Sequence, residues 1–326
     1  MAHELTTRAN GFVEMAYLGE QGWHGLGNEL TEDEALHIDE RALAKSGMDW
    51  KILRSRVRYA VERTGDESAY LTVPDQHVLF RSDSKEHLGI VSDKYEIVQP
   101  REMLEFFADI VSANGFKLNT AGTLFGGRRF WALASIGEEA HVIGNDLMKG
   151  FLLITSSCDG TMATTVKPTT VRVVCNNTLG MAMSTKSAST IKVSHRTEFD
   201  HKKVKDQLGI VHGAFGSFMA ATKSLAQHEI SKMRAREMTA RLLVESGTVT
   251  KADPETSSGF TSIMSLFESG KGNGGKTAWD WVNGVTEWVD HEQRAKSESH
   301  RIANAWYGKG DALKTQAFEK ALELVK

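Results

Sequence analysis

The chain has 326 residues, 40% of them hydrophobic and 25% charged, a globular composition with enough apolar matter for a sizeable core. Its formal charge of −3 excludes a polyanion binder that works through global charge and leaves room only for a local basic patch. Two cysteines, Cys158 and Cys175, exclude a disulfide framework and a four-cysteine zinc site.

The elements follow in chain order. "MAHELTTRANG" lacks the basic-then-apolar pattern of a secretion signal, and no apolar run approaches the roughly 20 residues of a membrane helix; a cytoplasmic location is expected. "TEDEALHIDERALAKSG" begins with Thr31, has Glu34 three residues on and ends at Gly47, which predicts a helix with a capping box. "KILRSRVRYAV" alternates as a strand does, and "HVLF", "LGIV" and "YEIV" read as short strands. Pro100 opens a helix with Met103, Phe107, Ile110 and Val111 on one face, closed by Asn114-Gly115. Two hairpins follow: one turns at Gly126-Gly127 between the Phe116 and Phe130 segments, the other at Asp159-Gly160 between "FLLITSS" and "TMATTV". "TTVRVV" extends into Cys175-Asn176-Asn177, where either asparagine suits the cap of a short helix through Met183, and "STIKVSH" reads as a last strand.

Beyond His201 the periodicity becomes helical. Val204, Leu208, Val211, Phe215, Phe218 and Ala221 step by three or four, and further helices are expected at about 228–246, 259–268, 277–295 and 312–325. The fold class is therefore α+β: residues 1–198 form a mixed or antiparallel sheet with hairpins and packed helices, and residues 199–326 are mostly α-helical. The helical region either stands alone or packs on the first as one domain.

One stretch matches a catalytic motif. Gly270, four residues, then Gly275-Lys276-Thr277 spell the G-x-x-x-x-G-K-T phosphate loop. That loop needs a buried strand leading in and a helix leading out. Thr277 suits the exit helix, but Phe260, Ile263, Met264 and Phe267 put a helix on the entry side. A linker between two helices explains the motif better.

The basic residues cluster. Thr161 to Lys205 holds eight Lys or Arg against two acids, a local excess of six; Lys167, Arg172, Lys192 and Arg196 are its candidate nucleic-acid contacts. Arg54, Arg56 and Arg58 lie two apart, so a strand projects all three from one face. They can track phosphates beside Tyr59 or nearby aromatics, or pair with acids on an exposed sheet face. Arg128 and Arg129 precede Phe130 and Trp131 at a hairpin tip. There Trp131 either stacks on a base or helps build the core.

Catalytic sets are sparse. Cys158 or Cys175 with His195 as base lacks an orienting group and an oxyanion hole at any recognisable spacing. His24, His195, His291 and His300 lack metal-ligand spacing, so neither a metal nor another cofactor is expected. Trp23-His24-Gly25-Leu26-Gly27 reads as a packed turn, and Trp279, Trp281, Trp288 and Trp306 as core or subunit packing.

"GWHGLGNEL", "SSCDGTMATTV", "VRVVCNNTL", "KVSHR", "TAWDWVNGVTEWVDH" and "RIANAWYGKGDALK" together resemble a family of phage- and plasmid-encoded proteins grouped under a domain of unknown function. The resemblance runs from about residue 20 to the C-terminus and implies a mobile genetic element in a bacterial host, with no established activity. That family often has His where this chain has Cys158, and it carries a glycine-rich lead into the "TAW" helix without a G-K-T triplet.

These observations favour a non-enzymatic DNA-binding protein acting on single-stranded DNA in recombination, repair or replication of the element, with a homo-oligomer as a further expectation. One alternative is a nucleotide- or nucleic-acid-processing enzyme centred on Cys158, Asp159, Asn176, Asn177 and His195. Another is an assembly or host-interaction protein.

Overall fold

A computed structural model describes residues 6–19, 26–62, 68–172, 177–180, 191–193, 211–249 and 253–325, with 62, 68, 110–114, 172, 177–180, 191–193 and 211–214 in backbone only. The fold is α+β. Strand β1 (Met15–Leu18) runs parallel to β2 (Asn28–Leu30). Thr31 and Glu34 then form the expected capping box. The single helix expected from Thr31 to Gly47 is interrupted at Ile38, whose φ of 47° is left-handed and ends α1 (Glu32–His37). Asp39 accepts the N–H groups of Arg41 and Ala42 and so starts α2 (Glu40–Lys45). A strong N-cap inside an amphipathic run thus splits it in two.

Strands β3 (Ile52–Glu62), β4 (Ser68–Arg81) and β5 (His87–Ser92) make an antiparallel sheet in the order β3-β4-β5. "YEIV" is not a strand; the Tyr95 hydroxyl instead donates to the Ser157 carbonyl at 2.9 Å. Helix α3 (Pro100–Asn114) buries Met103 and Phe107 as expected, while the Ile110 and Val111 side chains lie outside the description. The first hairpin is β6 (Lys117–Leu124) and β7 (Arg129–His141), with Leu124 opposite Arg129. The second is β8 (Leu147–Ser157) and β9 (Thr164–Arg172). Residues 177–180, expected in a helix, are strand β10 (Asn177–Gly180), which pairs with β9 through Leu179 and Thr170. A ladder partner outweighs the capping potential of Asn177. Strand β11 (Ile191–Val193) also pairs with β9, and the larger sheet runs β10-β9-β8-β7-β6-β1-β2.

The C-terminal part holds α4 (Val211–Gln227), α5 (Lys232–Glu245), α6 (Ser258–Ser269), α7 (Ala278–Glu287) with a π-helical turn (Trp288–Glu292), α8 (Glu298–Tyr307) and α9 (Lys309–Leu322). Helix α8 is absent from the sequence expectations, and residues 204–210 of the first helical pattern lie outside the description.

The chain divides into two compact units. One comprises residues 1–136, 153–166 and 191–207; the other comprises 137–152, 167–190 and 208–326. The second unit therefore joins the helices to strand segments that precede residue 198. In it α7 is buried on every side, as a central helix is. Trp281 donates from Nε1 to the Thr239 hydroxyl at 2.9 Å, Trp279 to Asp146 at 3.0 Å, and the Phe218 and Phe318 rings stack at 5.0 Å. Trp288 is buried as well.

A charged knot ties the first unit together. Glu14 is fully buried and accepts from Arg81 Nη2 at 2.6 Å, Arg81 Nη1 at 3.0 Å, Arg8 Nε at 2.7 Å and the Thr123 hydroxyl. Arg81 also donates to Asp83 and lies 4.2 Å over the Trp50 ring. A Cβ at Gly127 would meet Trp50 at 2.7 Å and Arg81 at 2.8 Å, and its φ is +91°. Only glycine fits there.

Candidate nucleic-acid interface

Among the described residues strand β3 is an edge strand, paired only with β4. Arg54, Arg56 and Arg58 are all exposed and alternate onto one face. Arg54 Nη2 donates to the carbonyls of Ser92 at 3.1 Å and Asp93 at 2.8 Å, which fixes its head group on that face. Arg56 and Arg58 make no ion pair among the described residues; the Glu62 side chain and residues 63–67 lie outside them.

Register decides which aromatics join the arginines. Arg56 lies opposite His77, Arg58 opposite Thr72 and Ala60 opposite Tyr70, with a bulge between Arg56 and Arg58. Directly opposed residues share a face. Tyr70, 69% exposed, therefore stands on the arginine side. Tyr59 lies opposite Leu71 on the other side, so the aromatic nearest in sequence is excluded from the arginine face. That other side is apolar, with Tyr59 at 50%, Leu71 at 46% and Ile90 at 53% exposure.

The hairpin tip between β6 and β7 is a tight turn in which Phe125, Gly126 and Gly127 all have positive φ. Arg128 is exposed at its end. Arg129 lies 5.1 Å over the Phe125 ring and donates to the Thr161 hydroxyl at 3.2 Å. Trp131 is 2% exposed. Its ring has no face to offer a base, and the base-stacking expectation gives way to the core alternative because β7 turns this position inward.

The turn from Cys158 to Met162 links these two basic groups. Cys158 N–H donates to the Arg128 carbonyl at 2.9 Å, and its Sγ donates to the Gly127 carbonyl at 3.3 Å. Asp159 accepts from the Thr161 N–H and hydroxyl. A Cβ at Gly89 would meet the Asp159 backbone at 2.8 Å. Gly89 is opposite Leu79, which is opposite Arg54, so this turn lies on the arginine side of the β3-β4-β5 sheet. Sequence reading separated these residues; the absent side chain of Gly89 brings them together.

The 161–205 cluster is less available. Lys167 Nζ is 2.5 Å from Asp311 with 12% of its side chain exposed, which neutralises it and removes it from the phosphate contacts expected. The side chains of Arg172 and Lys192 and all of Arg196 lie outside the described residues.

The G-K-T segment lies between α6 and α7, not after a strand. Asp280 Oδ2 accepts the N–H groups of Lys276 and Thr277, each at 3.0 Å, and Thr277 with Asp280 forms a capping box. The donors that a phosphate loop turns to its ligand are already occupied by a carboxylate. Cys158 is 1% exposed, and burial pushes its thiol up to about 12. Burial thus favours the thiol over the thiolate at this position. Of the other residues in the enzymatic alternative, Asn176 and His195 lie outside the description and Asn177 begins β10.

Among the described residues no helix is long and apolar enough to cross a membrane, and no group of three or more His, Cys, Asp or Glu could hold a metal ion. Neither the curated proteins nor the solved structures give a match. Residues 87–306, more than half of the chain, match the family model described as Domain of unknown function (DUF932); the Arg54–Tyr70 ribbon precedes the matched region. The chain belongs to the DUF932 family.

Proposed function

We propose that the protein binds single-stranded DNA through the arginine face of the β3–β4 ribbon, in recombination, repair or replication of a mobile genetic element. The observation that carries this reading is the row of Arg54, Arg56 and Arg58, exposed on one face of an edge strand in a protein whose net charge is −3. Over the paired positions from Arg54 to Ala60 this face has three arginines, with Leu79, His77, Thr72 and Tyr70 opposite; Asp159 is a carboxylate that packs on the same side, at Gly89. Such a row offers a local potential that net charge does not predict. Arg129, with its Thr161 partner on the same side of the sheet, extends it. The mobile-element setting rests on the resemblance of the motifs, and the intracellular site of action follows from that setting.

Removing two of the three cations tests the reading. Arg56→Ala/Arg58→Ala should weaken binding to all single-stranded sequences alike and flatten the dependence of log affinity on log salt by roughly 0.7 for each phosphate no longer held. Arg128→Ala/Arg129→Ala asks the same of the hairpin tip. A folded Arg56/Arg58 double variant with wild-type affinity and salt slope would remove the ribbon from the site.

One observation favours a second reading, assembly. The opposite ribbon face exposes Tyr59, Leu71 and Ile90, an apolar surface of the kind found at contacts between subunits. A Leu71→Asp variant that changes the mass in solution while DNA binding is absent would select this reading over the first.

A further inference from the structure

We infer that Tyr70 stacks on a base of the bound strand, so that the arginine face reads an unstacked single strand and not a duplex. The inference rests on the proposed DNA-binding reading and names its aromatic contact.

The physical basis is the exposed ring. A stacking ring needs a bare base face, and a duplex covers both faces of each base with its neighbours, so only an unstacked strand can seat a base on Tyr70.

Tyr70 is placed to receive such a face. It lies opposite Ala60, whose small side chain leaves its ring uncovered from across the ladder, and is 69% exposed. It is also the diagonal neighbour of Arg58, which lies opposite Thr72; diagonal partners are about 7–8 Å apart, within reach of long side chains. A phosphate on Arg58 thus carries its base to the Tyr70 ring. Tyr59 has a similar ring but faces the other way, opposite Leu71. The two tyrosines of one ribbon form an internal control, because ring chemistry is the same and only the face differs.

The experiment uses the full chain and two labelled probes of about 16 nucleotides, an oligothymidine and an abasic strand with the same phosphates. Tyr70→Ala should lose on the order of 5- to 100-fold in affinity for oligothymidine, keep the wild-type salt slope and bind the abasic strand as the wild type does. Tyr70→Phe should retain the affinity, and Tyr59→Ala should lose none. Melting curves check folding, which an exposed position leaves intact. A folded Tyr70→Ala variant that binds oligothymidine like the wild type overturns the stacking role, as does an equal loss on both probes or an equal loss from Tyr59→Ala. In those cases a loss in the Arg56/Arg58 variant keeps the DNA-binding reading standing. Wild-type protein that binds neither probe removes both.

Discussion

Arg81→Met should be among the most damaging single substitutions in the first unit. The change keeps the aliphatic stem and removes the guanidinium that gives Glu14 two hydrogen bonds, at 2.6 and 3.0 Å, and Asp83 two more. Glu14 is fully buried and keeps only Arg8 and Thr123 among these partners. Breaking a buried pair from one side costs about 3–5 kcal/mol, against a total stability of roughly 5–15 kcal/mol. Asp83 is a third exposed and adds little, whereas the stacking on Trp50 at 4.2 Å adds to the loss. At about 2–4 °C per kcal/mol, Tm should fall by roughly 6–20 °C. Urea unfolding followed by tryptophan fluorescence measures the cost directly. A Glu14→Gln/Arg81→Met double variant should cost less than the sum of its parts by about 1 kcal/mol or more. Full additivity, or an Arg81→Met protein melting within about 2 °C of the wild type, would refute the network as a shared support.

Three other predictions concern protons, thiols and nucleotides. Hydrogen bonding to Arg81 lowers the Asp83 carboxyl from 3.8 to about 2, so its stabilisation is complete above pH 3.8 and fades as pH falls toward 2; Asp83→Asn should flatten the urea-midpoint profile in that window, and an unchanged profile would count against the pairing. In a Cys175→Ser background Cys158 should resist iodoacetamide at neutral pH and react only in denaturant, as peptide mass spectrometry would read; rapid labelling of the native protein contradicts its burial. Calorimetry with magnesium-ATP should give no binding heat in the wild type or in Lys276→Ala, because Asp280 holds the loop's N–H groups; binding that vanishes in the variant would reinstate the phosphate loop.

Much of the fold is legible where one local signal acts alone. The Thr31 capping box, the Gly126-Gly127 and Asp159-Gly160 turns and the helix-to-helix setting of Gly275-Lys276-Thr277 are all where sequence reading puts them. Where two signals compete, sequence reading slips. Asp39 looks like one more polar helix residue, yet its cap splits the run, and Asn177 looks like a cap, yet β9 supplies a ladder. The candidate site is half visible. Alternation puts three arginines on one face, but "SAYLTV" escapes notice because Pro74 and the left-handed Asp75 interrupt β4. Tyr70 is therefore missed. Its pairing with Ala60, and the packing of the Asp159 turn on Gly89, are long-range facts that no single sequence encodes at fixed spacing.

The most direct test of the central claim is a fluorescence-anisotropy titration of the wild-type protein with single-stranded and double-stranded DNA at two salt concentrations. Binding through Arg54, Arg56 and Arg58 predicts tighter capture of the single strand and a log–log salt slope of about −2, from three phosphates at about −0.7 each. No binding to either form at low salt, or tighter binding to the duplex, would contradict it.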